Sequence, residues 1–114
     1  MNVLFVCTLN RARSVAAERL YRRTPGLSVR SGGVDDRATH QVNEQDLAWA
    51  DQIFVFDSSH EAWIRNTFAG DVPEIIVLGI PDDFTVDDPL LEAELRESLE
   101  PVLGEPGNGR GRGP

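Results

Sequence analysis

The residues with the clearest chemical potential lie near the start of the chain, in Cys7-Thr8-Leu9-Asn10-Arg11-Ala12-Arg13-Ser14. A lone cysteine is ordinarily a small buried hydrophobe, but this one follows the apolar run Val3-Leu4-Phe5-Val6 and precedes a helical pattern. Five residues separate it from Arg13, and Ser14 comes next. A strand-to-helix loop of that length can curl so that the backbone N–H groups of Thr8, Leu9, Asn10, Arg11 and Ala12 point into one concavity, an anion nest. The positive end of the helix dipole then lies behind it. Arg13 can fork two donors onto phosphate oxygens. Asn10 is a residue type that tolerates the left-handed backbone a tight ring needs. The donors that hold a dianion also hold a thiolate, and Ser14 can donate its hydroxyl to the sulfur. A thiolate facing a bound phosphoryl group is placed for nucleophilic attack through a phosphocysteine intermediate.

Such chemistry needs a proton donor for the leaving oxygen. Four aspartates, Asp82, Asp83, Asp87 and Asp88, crowd the acidic segment after the fourth apolar run. Asp88 has a structural duty of its own, because it precedes Pro89 where a helix N-cap is expected. The two histidines, His40 and His60, have no cluster of ligand partners near them in sequence and read as surface residues. No metal or other cofactor is expected.

The elements that would position these groups follow from local patterning. The run Asn2–Val6 reads as a strand buried on both faces of a parallel sheet. Ser14–Thr24 reads as a helix with Ala16, Ala17, Leu20 and Tyr21 on one side, stopped by Pro25-Gly26. Leu27–Ser31 is a second strand. Asn43 caps a short helix through Ala50, Gln52–Phe56 is a third strand, and a capping box from Ser58 to Glu61 opens a helix reaching Phe68. Glu74–Leu78 is the fourth strand. The last helix follows Asp88-Pro89 with Leu91, Leu95, Leu99 and Val102 as its core stripe. Alternation throughout predicts a doubly wound α/β three-layer sandwich around a four-stranded parallel sheet, with ligands at the carboxyl ends of the strands. Residues 1–103 form a single domain in this reading, and Gly104–Pro114, rich in glycine and proline, a disordered tail.

The chain has 114 residues and a net charge of -8. That acidity argues against nucleic acid as a partner, since phosphate backbones reward basic surfaces. Arg11, Arg13, Arg19, Arg22, Arg23 and Arg30 nevertheless crowd the first thirty residues against one acid, Glu18, which suits a local anion site. No apolar run approaches the ~20 residues of a membrane span, and the short N-terminal run lacks the basic flank of a secretory signal. A cytoplasmic protein without membrane contact is expected.

The segment Val3–Glu18 resembles the signature of the low-molecular-weight protein tyrosine phosphatases. The resemblance places Cys7 at the nucleophile, Asn10 at the loop asparagine, Arg13 at the phosphate-binding arginine and Ser14 at the thiolate-stabilising serine. Ser31, in Ser31-Gly32-Gly33, matches a serine that hydrogen-bonds the loop asparagine. Ile80-Pro81-Asp82-Asp83-Phe84 resembles the family's acid loop, which implies Asp82 as general acid and Phe84 as an aromatic wall of the pocket. The sequence departs from the pattern at Leu9, where glycine is usual, at Ala12, where a second cysteine is usual, and at Val15 and Asp83, where prolines are usual. The stretch from Ser31 to Asp46 is also short. The resemblance implies a phosphatase acting on a phosphorylated protein or a small phosphate ester. A catalytically silent oxyanion-binding module is the alternative. Arsenate reduction, known among relatives using this loop, relays oxidation through further cysteines that this chain lacks.

Overall fold

The computed structural model describes residues 1–107. Eight elements alternate: β1 (Asn2–Cys7), α1 (Arg13–Tyr21), β2 (Ser28–Gly33), α2 (Glu44–Trp49), β3 (Gln52–Val55), α3 (Ser58–Thr67), β4 (Glu74–Val77) and α4 (Pro89–Leu103). The strands form one sheet in the order β2-β1-β3-β4, and every neighbouring pair is parallel. The α/β sandwich with a four-stranded parallel sheet is the expected fold.

Side chains alternate between the faces of a strand, and β1 uses both. Val3, Phe5 and Cys7 pack on one face with Ala17 and Tyr21 of α1 and Leu91, Leu95 and Leu99 of α4. Leu4 and Val6 pack on the other with Leu47 of α2 and Ile64 of α3. Val3 to Val6 are fully buried, which explains why β1 reads as an unbroken apolar run. Val102 is 49% exposed; after Leu99 the stripe continues through Leu103, which packs half-buried against the same cluster.

The chain leaves β1 toward β2 and later returns to place β3 on β1's other side. A parallel sheet opens a crevice at such a switch point. The loop after Cys7 and the start of α3 lie beside each other there.

One capping detail differs from expectation. The N-cap of α3 is Asp57, whose side chain accepts from the Ser59 N–H, and the reciprocal partner at the third helical position is His60. The Ser58–Glu61 box does not form, because the helix starts one residue earlier in its capping register. Asn43 caps α2 with Asp46 as its reciprocal partner, and Asp88 caps α4 ahead of Pro89, both as expected. Residues 104–107, read as tail from composition, are tied to the C-terminal end of α1 and the turn after it. Tyr21 donates its hydroxyl to the Gly104 carbonyl at 2.8 Å, and the Gly107 N–H donates to Thr24 Oγ1 at 2.9 Å. The rest of that segment lies outside the described residues.

Candidate active site

The loop between β1 and α1 is held by its carbonyls. The Cys7 carbonyl accepts from the Val34 N–H at 3.0 Å, the Thr8 carbonyl from the Val34 and Asp35 N–H groups at 3.0 Å, and the Leu9 carbonyl from the Thr39 N–H at 3.1 Å. In a trans peptide the carbonyl of one residue points opposite the N–H of the next. Anchoring three carbonyls to the 34–39 segment therefore turns the N–H groups of Thr8, Leu9 and Asn10 the other way, away from that segment. The short connection after Ser31 serves as this brace. Gly33 lets it approach: a Cβ there would stand 2.5 Å from the Thr8 carbonyl oxygen.

Asn10 has φ 55°, the one positive φ among the described non-glycine residues. Its side chain secures that conformation. Asn10 Nδ2 donates to Ser14 Oγ and to Ser31 Oγ, each at 2.9 Å, and Ser31 in turn donates to Glu18 Oε1 at 2.5 Å. The direction of donation follows from the inventory, since a carboxylate only accepts and an amide nitrogen only donates. Ser14 Oγ accepts from Asn10 and lies 2.9 Å from Cys7 Sγ; toward a thiolate, which only accepts, the serine hydroxyl is the donor. Cys7, Asn10, Arg13 and Ser14 are all at most 5% exposed. Helix α1 has no side-chain cap at Ala12, which leaves its N-terminal dipole uncovered toward the loop.

Arg13 is fixed on three sides. Nη1 donates to the Ile80 carbonyl at 2.9 Å, Nη2 reaches Thr8 Oγ1 at 3.4 Å, and the guanidinium lies 5.6 Å over the Phe56 ring. Asp57 Oδ2 stands 3.7 Å from Nη1. Its Nε is buried without a hydrogen-bond partner, with Asp82 Oδ1 3.7 Å away. A buried orphan donor is costly unless something accepts from it, and an oxyanion in the adjoining cavity would. That cavity, about 70 Å³, is lined by Cys7, Thr8, Leu9, Arg11, Ala12, Arg13 and Asp82.

The structure thus brings Cys7, Arg13 and Asp82 to one cavity. Asn10, Ser14 and Ser31 lie beneath it as supports. Phe84 is not among the lining residues; it packs against the core cluster that contains Cys7 and Ile80. The ring is half-buried there, at the edge of that cluster. Asp88 is committed to the Leu90 N–H at 2.9 Å, Asp87 stands 3.7 Å from Arg19, and neither lines the cavity.

His60 is the residue that sequence reasoning misplaced. It is 1% exposed, and its Nε2 lies 3.0 Å from Thr8 Oγ1, inside the site. Burial holds its pKa below the ordinary histidine value, a tendency that Asp57 opposes and Arg13 reinforces. Asp57 sits 3.6 Å from the same nitrogen, and its carboxyl is held below the usual carboxylate value through the Ser59 hydrogen bonds and the charges of His60 and Arg13, against the opposing effect of its own burial. The one available signal was position, since His60 falls three residues into a helix that starts at a strand's carboxyl end. His40, the other histidine, is exposed as expected and pairs with Asp46 at 2.8 Å. Among the described residues there is no cluster of side chains able to hold a metal ion, and no helix is long and apolar enough to cross a membrane.

No protein-family model matches the sequence, and no curated protein does. Solved structures match its shape. A low molecular weight protein tyrosine phosphatase from Streptococcus pyogenes superposes with a TM-score of 0.72 at 17% identity, covering 90% of this chain and 93% of that one. The YwlE arginine phosphatase of Geobacillus stearothermophilus gives a TM-score of 0.60 at 24% identity, with 84% of each chain covered. A Drosophila arginine phosphatase gives 0.65 at 21% identity, covering 86% of this chain and 92% of that one. The class defined by the sheet order is an α/β fold whose β1–α1 loop lies at the β1–β3 switch point. In particular, the chain has the fold of the low molecular weight protein tyrosine phosphatases.

Proposed function

We propose that this protein is a cysteine-dependent phosphatase that hydrolyses phosphomonoesters through a phosphocysteine intermediate. The observation that carries the reading is the pairing of a serine-bonded sulfur with an unsatisfied arginine donor beside one cavity: Ser14 Oγ at 2.9 Å from Cys7 Sγ, and the orphan Arg13 Nε. Cys7 attacks phosphorus while the loop N–H groups and Arg13 hold the equatorial oxygens. The bond from phosphorus to the ester oxygen breaks as the bond to sulfur forms. Asp82, 68% exposed at its side chain and beside the Arg13 Nε, gives its proton to the leaving oxygen. It then takes a proton from the water that releases phosphate from sulfur.

Protein phosphotyrosine or a related aryl phosphate is the proposed substrate, in keeping with the family whose fold the chain has. The arginine phosphatases among its structural neighbours make protein phosphoarginine the second candidate. The test is turnover of nitrophenyl phosphate, phosphotyrosine and phosphoarginine by wild type and Cys7→Ser. A chain that binds phosphate but releases no product from any of them is the silent oxyanion-binding module instead.

A further inference from the structure

The hydrogen bonds around His60 fix its protonation pattern. Its Nδ1 faces two backbone donors, the Phe56 N–H at 3.3 Å and the Asp57 N–H at 3.2 Å. A ring nitrogen that accepts cannot carry a proton, so the proton of the neutral imidazole is on Nε2. Nε2–H lies 3.0 Å from Thr8 Oγ1, nearer than the 3.6 Å to Asp57 Oδ2, and donates to the hydroxyl. The same oxygen accepts from Arg13 Nη2 at 3.4 Å. A hydroxyl has two acceptor sites and one proton. With both acceptor sites of Thr8 occupied from the histidine and arginine sides, its proton is left to donate, and Thr8 lines the cavity with Cys7 and Arg13.

We propose that His60 is a positioning residue of the phosphate site: it orients the Thr8 hydroxyl so that Thr8 donates its proton to a bound phosphoryl oxygen. This inference rests on the phosphate-site reading above and adds a donor to it, supplied by a side chain rather than by the loop backbone. It also gives a reason for burying an imidazole at a place where the cap alone could be made by a smaller residue. The guanidinium of Arg13 gains from the same arrangement, because Thr8 holds its Nη2 while Nε stays free for the oxyanion.

A purely structural His60 would serve α3 through its Nδ1 acceptor, and two substitutions separate the roles. Asparagine places an acceptor near the Nδ1 position and cannot reach Thr8. Glutamine can place an amide donor near the Nε2 position and loses the close acceptor. Phosphate affinity is read as the concentration of inorganic phosphate that protects Cys7 from alkylation, which needs no turnover. Thermal unfolding is followed in parallel.

Thr8→Val should weaken protection about tenfold, the size of one net hydrogen bond to a charged group. His60→Asn should weaken it severalfold with a small loss of thermal stability. His60→Gln should keep most of the affinity at a larger thermal cost. In the Thr8→Val background, His60→Asn should have no further effect on phosphate, because the hydroxyl it orients is gone. The proposal is overturned if the two losses multiply in the double variant, if asparagine outperforms glutamine in phosphate affinity, or if wild type shows no protection. A wild type that is protected by phosphate yet turns over no substrate defeats the hydrolase reading alone, and the Thr8–His60 coupling is still measured.

Discussion

Ser14 Oγ lies 2.9 Å from the Cys7 sulfur and is the donor to it as a thiolate, which can only accept, while Asn10 donates to the same serine oxygen. The orientation runs back through Asn10 and Ser31 to the Glu18 carboxylate. Removing the donor leaves the thiolate with one charge-assisted hydrogen bond fewer, about 1.5–3 kcal/mol. Ser14→Ala should therefore slow Cys7 alkylation and phosphoryl transfer by about ten- to a hundredfold. Iodoacetamide kinetics at fixed pH, with and without phosphate, measure it; an unchanged rate would remove Ser14 from the mechanism.

Arg13→Lys should be nearly as damaging as Arg13→Ala. Arginine meets the Ile80 carbonyl with one nitrogen and keeps Nε for the cavity, a division of labour that a single ammonium cannot copy. Losing a preorganised donor to the transferring group costs about a hundredfold or more in rate. Nitrophenyl phosphate turnover by the two variants decides the matter, and substantial activity in the lysine variant would mean that Arg13 acts only as a distant charge.

Asp82 and Asp88 should part company when the leaving group is changed. A tyrosine phenolate leaves as a poor group, pKa ~10, and gains from protonation, whereas nitrophenolate needs it far less. Asp82→Asn should lose up to about a hundredfold or more on phosphotyrosine and much less on nitrophenyl phosphate. Asp88→Asn should be nearly silent in both assays, since asparagine can still accept from the Leu90 N–H. Leaving-group dependence appearing in Asp88→Asn would transfer the acid role to that residue.

Stability should fall on mild acidification through His60. Burial lowers its folded-state pKa below 6.5, so between that value and the lower folded one the unfolded chain binds a proton that the native chain does not. The contribution is fully present above pH 6.5 and shrinks as pH drops toward the folded pKa. Asp57, Arg13 and Asp82 are the charged groups that act on the ring. Asp57 loses its own contribution in a lower window, below its ordinary value of 3.8. Urea midpoints from pH 7.5 downward should decline for wild type, and His60→Gln should lack the part of the decline nearest neutrality. Parallel curves for the two proteins would show that His60 is not buried in its neutral form.

Raising the pH tests the other end of the molecule. Burial first, and Glu100 next, push the Tyr21 hydroxyl up to about 12 from 10.0, with Arg96 opposing. The unfolded chain loses that proton at lower pH than the folded chain. The stabilisation is therefore complete below pH 10.0 and disappears as the pH approaches about 12. Tyr21→Phe removes the donor to the Gly104 carbonyl. It should lower the unfolding free energy at neutral pH by about 1 kcal/mol and flatten the alkaline limb; equal alkaline limbs would contradict the assignment.

The local parts of this protein were legible in consecutive residues. The spacing from Cys7 to Ser14 encodes a strand end, a tight loop and a helix start. A left-handed asparagine and a loop-held arginine follow from residue types at fixed offsets, because a short loop has few conformations. The same holds for the Asn43 and Asp88 caps, and for β1, whose full burial demands an apolar run. What the tertiary structure decided is which strand ends meet. Placing β3 beside β1 brings His60 to Thr8 across a separation of 52 residues, and docking of the acid segment packs Phe84 half-buried against the core cluster. The 34–39 segment becomes the brace of the loop between β1 and α1 in the same way. Strand order and helix docking depend on apolar burial summed over both faces of the sheet, a quantity carried by no single stretch of sequence. The burial of His60, polar in type, is decided by that sum and appears only when the sheet is assembled.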